Sequence, residues 1–275
     1  MVSGRIVDDF NLDKIADSGQ CFRWEKQSDG AYSIIHLDKR LKILKVGQEY
    51  ELSCTMDDYK NIWYTYFDFD TKYSKIRQLI DRNNDRFMYN AVTYGKGIRI
   101  LRQDTWEMLI SFIISQRKNI PAIKSSIEKL SRLCGTRHID ETDNTEYYSI
   151  PTPEQILKTS VNDLNACGLG YRVDYIKSVA KEVYDGKLDI KSLENMSYEQ
   201  SLYRLKQLYG VGDKVANCVI LFGLHNLDAF PIDIWIQRIL ENEYNGENNY
   251  PFEKYRPYNG VFQQYMYAYY RNRGD

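Results

Sequence analysis

Several things are scarce in this chain, and each absence excludes a class of protein. No run of 18 or more apolar residues occurs, so nothing in the text reads as a membrane-spanning helix. The five cysteines, Cys21, Cys54, Cys134, Cys167 and Cys218, are odd in number and scattered, without a C-x-x-C pair or metal-ligand spacing. They read as reduced thiols, not as a disulfide framework. An excess of one charge is missing too: 37 Lys and Arg face 38 Asp and Glu. That balance excludes a uniformly basic nucleic-acid coat but leaves room for one basic face. The opening MVSGRIVDDF has acidic residues where a secretory signal carries its apolar core, so an intracellular, cytoplasmic location without an export signal is expected. Internal repeats and low-complexity linkers are absent as well.

What is present is a globular composition, 43% hydrophobic and 27% charged over 275 residues, with 24 tyrosines. Their amphipathic rings suit cores, wet interfaces and base stacking alike. Up to about Ile98 the short β-branched or aromatic runs AYSIIHL, RLKILKV and YELSCTM, broken by QSDG and KVGQ, predict an antiparallel sheet. A helix is expected near Lys72 to Leu79. After Arg99 the period becomes helical: Asp104 reads as an N-cap ahead of Trp106, Leu109, Ile110 and Ile113. Pro121 suits the first turn of the next helix, Thr152-Pro153-Glu154 opens another, and Ser197 with Gln200 spells a capping box. The expected class is α+β, with a twisted antiparallel β domain over 1–98 and a helical domain over 99–275.

The chemistry concentrates in LKQLYGVGDKVA, Leu205 to Ala216. Leu205 and Leu208 anchor an incoming helix, and Val215, Ala216, Val219 and Ile220 anchor an outgoing one. Gly210-Val211-Gly212 joins them as a tight hairpin, where missing Cβ atoms let backbone N–H groups at a helix N-terminus face a phosphate. An ordinary turn between core helices is the alternative. Lys214 falls in the first turn of the outgoing helix, where the positive end of the dipole disfavours an added cation, the condition an amine nucleophile needs. It reads equally as an exposed phosphate contact. Cys218 shares its helical face. Asp233, in AFPIDIW, is a carboxylate in apolar context, either a plain N-cap or a group with a reaction to serve.

Together the hairpin, Lys214 and Asp233 resemble the helix-hairpin-helix DNA glycosylases, which flip a damaged nucleotide out of the duplex. SGQCFRW (Ser18 to Trp24), RQDTWEMLISFIISQRKNI and GLGYR are similar to segments of the 8-oxoguanine DNA glycosylase/AP lyases in particular, and the likeness runs from Ser18 to about Tyr267. The resemblance implies a hairpin at 205–222 and a catalytic Asp loop at 229–235. By it Lys214 is the nucleophile that forms a Schiff base and Asp233 the catalytic carboxylate, while Gly19, Cys218, Gln263 and Tyr267 hold the base. The DNA contacts it implies are Arg117, Asn119, Tyr171 as wedge, Arg172 on the orphaned base, and the backbone of Gly210, Val211 and Gly212. Carbonyls of Lys206, Leu208 and Val211 would hold a monovalent ion. No cysteine follows Cys218, which disfavours the iron–sulfur branch, so no cofactor is expected. The expected partner is double-stranded DNA containing oxidised guanine, bound by a monomer.

Three departures from the family pattern stand out. Ala122 occupies the place of a second Arg that helps select cytosine opposite the lesion, Trp235 replaces a His, and Arg117-Lys118-Asn119 replaces an Asn-rich loop. The expected activity is base excision repair: removal of 8-oxoguanine, then strand cutting by β-elimination. An alkylpurine glycosylase and a noncatalytic damage-binding module are the rival readings.

Overall fold

The computed structural model of the chain describes residues 1–6 and 8–273. Alternation builds the N-terminal sheet. Strands β1 (Val2–Gly4), β2 (Trp24–Lys26), β3 (Tyr32–His36), β4 (Lys39–Val46) and β5 (Glu49–Leu52) pair antiparallel in the order β1-β5-β4-β3-β2. Ile34 lies opposite Leu41, and Ile43 opposite Leu52, so one face carries the apolar set. That face closes on Trp24, Tyr50, Trp63, Tyr66 and Phe67. The three runs read as strands are β3, β4 and β5; β1 and β2 are three residues each, too short to show an alternation.

Beyond the sheet the chain is helical apart from a small hairpin, β6 (Arg137–Ile139) with β7 (Glu146–Tyr148), which the sequence did not suggest. The caps fall on the residues that spell them. Asp104 accepts from the Glu107 N–H at 2.8 Å and starts Thr105–Ser115; Thr152 with Gln155 and Ser197 with Gln200 complete capping boxes. Among the described residues no helix is long and apolar enough to cross a membrane.

The two hydrophobic cores do not divide at residue 98. Helices Tyr73–Arg77 and Arg86–Tyr94 precede that point, yet Tyr73, Ile76, Met88, Ala91 and Val92 bury in the helical core, not with the sheet. An amphipathic helix goes where an apolar partner lies, and here that partner includes the C-terminal helix Asn259–Asn272. The two cores meet at Arg99, fully buried. Its guanidinium donates to the carbonyls of Phe67, Asp9, Asp68 and Thr71 and lies 4.5 Å from the Tyr73 ring centroid. This junction fixes the sheet, and Gly19 with it, against the helices that carry Lys214 and Asp233.

Candidate active site

Helix Tyr198–Lys206 enters the hairpin and helix Asp213–Phe222 leaves it. The two glycines do different work. Gly210 has φ +84°, and a Cβ there would come 2.2 Å from Cγ of Tyr175, so its bareness is required from inside. A Cβ on Gly212 would meet open space, so anything approaching from outside meets bare backbone. Gly212 caps the outgoing helix without a side chain, leaving the first N–H groups free of any side-chain acceptor, where an anion is favoured. Val211 is buried, and its N–H donates to the Leu208 carbonyl at 3.1 Å.

Lys214 projects from the first turn of that helix, its Nζ 5.0 Å from the Phe112 ring centroid. Cys218 follows one turn on; burial raises its thiol above the ordinary range, with Lys214 opposing that effect and Asp233 adding to it. Asp233 is the N-cap of helix Ile234–Tyr244, where Oδ1 accepts from the N–H groups of Trp235 (3.0 Å) and Ile236 (2.9 Å). Capping consumes one oxygen; the other has no hydrogen-bond partner among the described residues. The two readings of Asp233 are therefore compatible.

A cavity of about 140 Å³ gathers Gly19, Lys214, Cys218, Asp233, Gln263 and Tyr267 within one lining. These residues come from four separated stretches of chain, and the likeness in sequence had grouped all six. Gly19, at φ +78°, packs against Tyr267, whose ring Cε1 and hydroxyl both lie 3.6 Å from where a Cβ would stand. Burial raises the Tyr267 hydroxyl, which accepts a 3.0 Å hydrogen bond from Arg271. Gln263 is buried; its amide donates to the Pro231 carbonyl and accepts from Gln264, each at 2.8 Å. The lining also includes Phe112, Ser115, Lys118 and Gln264, which the sequence reading did not select.

The expected contacts around the mouth divide. Arg117 is exposed, with φ +52°, and Tyr171 is 48% exposed at the start of helix Arg172–Tyr184. Asn119 is exposed but has a task already: its Oδ1 caps helix Ile120–Cys134 by accepting from Ala122 N–H. Arg172, expected on the orphaned base, faces inward here. It is buried, its guanidinium donating to the carbonyls of Leu169 and Gln116 and lying over the Tyr171 ring, so in this structure it binds loops instead of facing outward. The cause is the cluster of loop carbonyls beside it, which a sequence position does not disclose. Among the described residues no group of three or more His, Cys, Asp and Glu could hold a metal. Of the carbonyls of Lys206, Leu208 and Val211, that of Leu208 accepts from Val211 N–H.

Comparison with known proteins follows this geometry. Residues 6–109 match the 8-oxoguanine DNA glycosylase N-terminal domain, and residues 110–255 match the HhH-GPD superfamily of base excision DNA repair proteins. A probable N-glycosylase/DNA lyase of Methanothermobacter thermautotrophicus is 30% identical over 66% of this chain and 63% of its own length. The N-glycosylase/DNA lyase of Saccharomyces cerevisiae is 29% identical over 85% of this chain and 68% of its own. The chain thus spans about two-thirds of the length of these curated relatives. Among solved structures, MBOgg1 in complex with a low-affinity DNA ligand superposes with a TM-score of 0.93 at 34% identity, covering 99% of this chain and 96% of that one. The Clostridium acetobutylicum 8-oxoguanine glycosylase/lyase, in complex with double-stranded DNA containing cytosine opposite 8-oxoguanine, gives 0.91 at 32%, covering 98% and 95%.

Proposed function

We propose that this chain, which belongs to the HhH-GPD superfamily of base excision DNA repair proteins and carries the 8-oxoguanine DNA glycosylase N-terminal domain, excises 8-oxoguanine from duplex DNA and then cuts the strand at the emptied site. One observation carries the reading: an amine, a half-capped carboxylate and the candidate base-holding residues line one cavity beside an uncapped helix N-terminus.

The hairpin backbone holds a phosphate through the free N–H groups at Gly212 to Val215, a contact blind to sequence. Tyr171 and the Arg117 loop enter the duplex, and the damaged nucleotide turns out into the cavity. There the Gly19 carbonyl accepts from the N7–H that 8-oxoguanine carries and guanine lacks, so one hydrogen bond separates lesion from normal base. Tyr267 and Cys218 bracket the ring, and Gln263 faces its pairing edge.

Lys214 attacks C1′ as its neutral amine. The C1′–N9 bond breaks, the electron pair leaves with the base, and the positive charge that builds on the sugar is balanced by the free oxygen of Asp233. Opening of the sugar ring gives a Schiff base on Lys214. Loss of a C2′ proton then expels the 3′ phosphate, and water releases the amine. No organic cofactor or iron–sulfur cluster enters these steps. The ion held by the hairpin carbonyls would stiffen the phosphate contact only. A monomer suffices for this chemistry, and an intracellular place, on the cell's own DNA, is where it is used.

The test is borohydride trapping on a duplex with one 8-oxoguanine opposite cytosine, beside undamaged duplex and Lys214→Gln. A covalent band that needs both lesion and lysine supports the reading. Release of 3-methyladenine without trapping would shift it to an alkylpurine enzyme, and lesion binding unchanged by Lys214→Gln, with no excision, to a noncatalytic sensor.

A further inference from the structure

We propose that Gln116 and Tyr175 are positioning residues that clamp the hairpin to the wedge loop, so that gripping the DNA backbone and opening the duplex occur as one coupled movement. The proposal rests on the glycosylase reading above and adds to it two residues that lie outside the cavity lining.

The clamp has a polar side and an aromatic side. Gln116 closes helix Thr105–Ser115, and its Nε2 donates to the Gly210 carbonyl at 3.0 Å across 94 residues of chain. The same peptide unit presents Val211 N–H to Leu208 O, so one rigid plane of the hairpin is held at both ends. The Gln116 carbonyl in turn accepts from Arg172, which also donates to Leu169 O, and Lys118 donates to Gly168 O at 2.5 Å. Thus the 116–118 loop is bonded on one side to the hairpin and on the other to the 168–172 loop.

On the aromatic side Tyr175 stands between Tyr171 (ring centroids 5.6 Å apart) and Tyr209 (4.8 Å), edge to face with both. Its ring fills the space a Gly210 side chain would need. Such edge-on contacts fix ring orientation as well as adding area. With both sides in place, Tyr171 cannot tilt into a helix without the hairpin following.

Flipping a paired base requires that coupled push, whereas a lesion already unpaired requires little of it. Single-turnover excision is therefore measured on 8-oxoguanine paired with cytosine and on the same lesion in a single-nucleotide bulge. Gln116→Glu keeps the size but cannot donate to Gly210 O when ionised; Tyr175→Ala removes the ring, and Tyr175→Phe keeps it. Gln116→Glu, which loses one hydrogen bond, and Tyr175→Ala, which loses two edge-to-face contacts, are each expected to slow paired-lesion excision about tenfold, and bulge excision less than twofold. Tyr175→Phe should match wild type on both. If Tyr175→Ala does not fold, Tyr175→Leu and Gln116→Glu carry the test. Equal slowing on both substrates, or none on the paired one, overturns the clamp while leaving the glycosylase intact. Wild type inactive on both substrates overturns the glycosylase reading, and the clamp with it.

Discussion

The ionisable side chains at the junction of the two cores and those in the cavity are completed in opposite ways. At the junction of the two cores, the Arg99 guanidinium reaches four backbone carbonyls and the Asp8 carboxylate, and Asp68 receives Tyr73 Oη at 2.8 Å and Arg102 Nε at 2.9 Å. Burial works against the Asp68 charge, but hydrogen bonds and the nearby His225 outweigh it and hold the carboxyl down at about 2. In the cavity, Lys214 rests over Phe112 and Asp233 keeps one oxygen open. A buried charge is tolerable only when its bonding capacity is filled, so the saturated cluster holds the fold together and the open one is free to react.

The largest effect should come from the open cluster. Lys214→Gln is expected to abolish trapping and strand cutting, a loss of at least about 1,000-fold in rate, with no fall in melting temperature. Asp233→Asn should cost on the order of 100- to 1,000-fold, since asparagine still caps the helix but cannot balance the sugar's charge. Calorimetry beside single-turnover kinetics checks both. A clear loss of stability in either variant would erase the distinction between the clusters.

The reverse is expected at the junction. Arg99→Met takes its guanidinium from four carbonyls and leaves the Asp8 carboxylate only the N–H groups of Tyr73 and Ser74, and should lower stability by about 3–5 kcal/mol in denaturant titration. Enzyme that remains folded, counted by trapping, should excise at the wild-type rate. A specific loss of excision per folded molecule would show that the junction participates in the reaction.

Glu107 belongs to neither type and sharpens the contrast. Burial, aided by Asp104 and opposed by Arg23, raises its carboxyl to about 7, and Oε2 has no partner. A carboxyl raised in the folded state supplies stability that is complete below its ordinary 4.5 and is lost as pH rises through about 7. Glu107→Gln, uncharged throughout, should therefore gain up to about 3 kcal/mol on wild type between pH 5 and pH 8. Stability curves at the two pH values decide it; a pH-independent difference would mean that Glu107 is already ionised and paired.

The sequence disclosed the site better than its supports. Lys214 and Cys218 were legible because a cation and a thiol fall on one helical face after a glycine hairpin, and Asp233 because a carboxylate follows proline in apolar text. The resemblance to the 8-oxoguanine enzymes then suggested Gly19, through SGQCFRW, and Gln263 and Tyr267, through the last helix. Gln116, Lys118 and Arg271 carry no local period, and two of them act on loops 50 and 94 residues distant. Arg172 illustrates the limit from the other side. Its position was identified, but the direction of its guanidinium depends on carbonyls of two loops. The helices before residue 99 were assigned by proximity in sequence, while packing, for Arg86–Tyr94 against Asn259–Asn272, decided their core.

The smallest predicted effect concerns the base opposite the lesion. Ala122 stands where the resemblance implies a second cytosine-selecting arginine, its N–H donating to the Asn119 cap, and Arg172 is held by its own loops. Selecting cytosine needs donors aimed at its edge, each worth about 1–3 kcal/mol of discrimination. With one donor missing and the other occupied, excision of 8-oxoguanine opposite cytosine should exceed that opposite adenine, guanine or thymine by less than about tenfold, a difference of about 1.4 kcal/mol. Single-turnover rates on the four duplexes measure it. A preference for cytosine of about 100-fold or more would require Arg172 to leave Leu169 and Gln116 when DNA binds, and Arg172→Ala would then flatten that preference. Such a result would turn Arg172 from a charge held by its own loops into one that meets DNA.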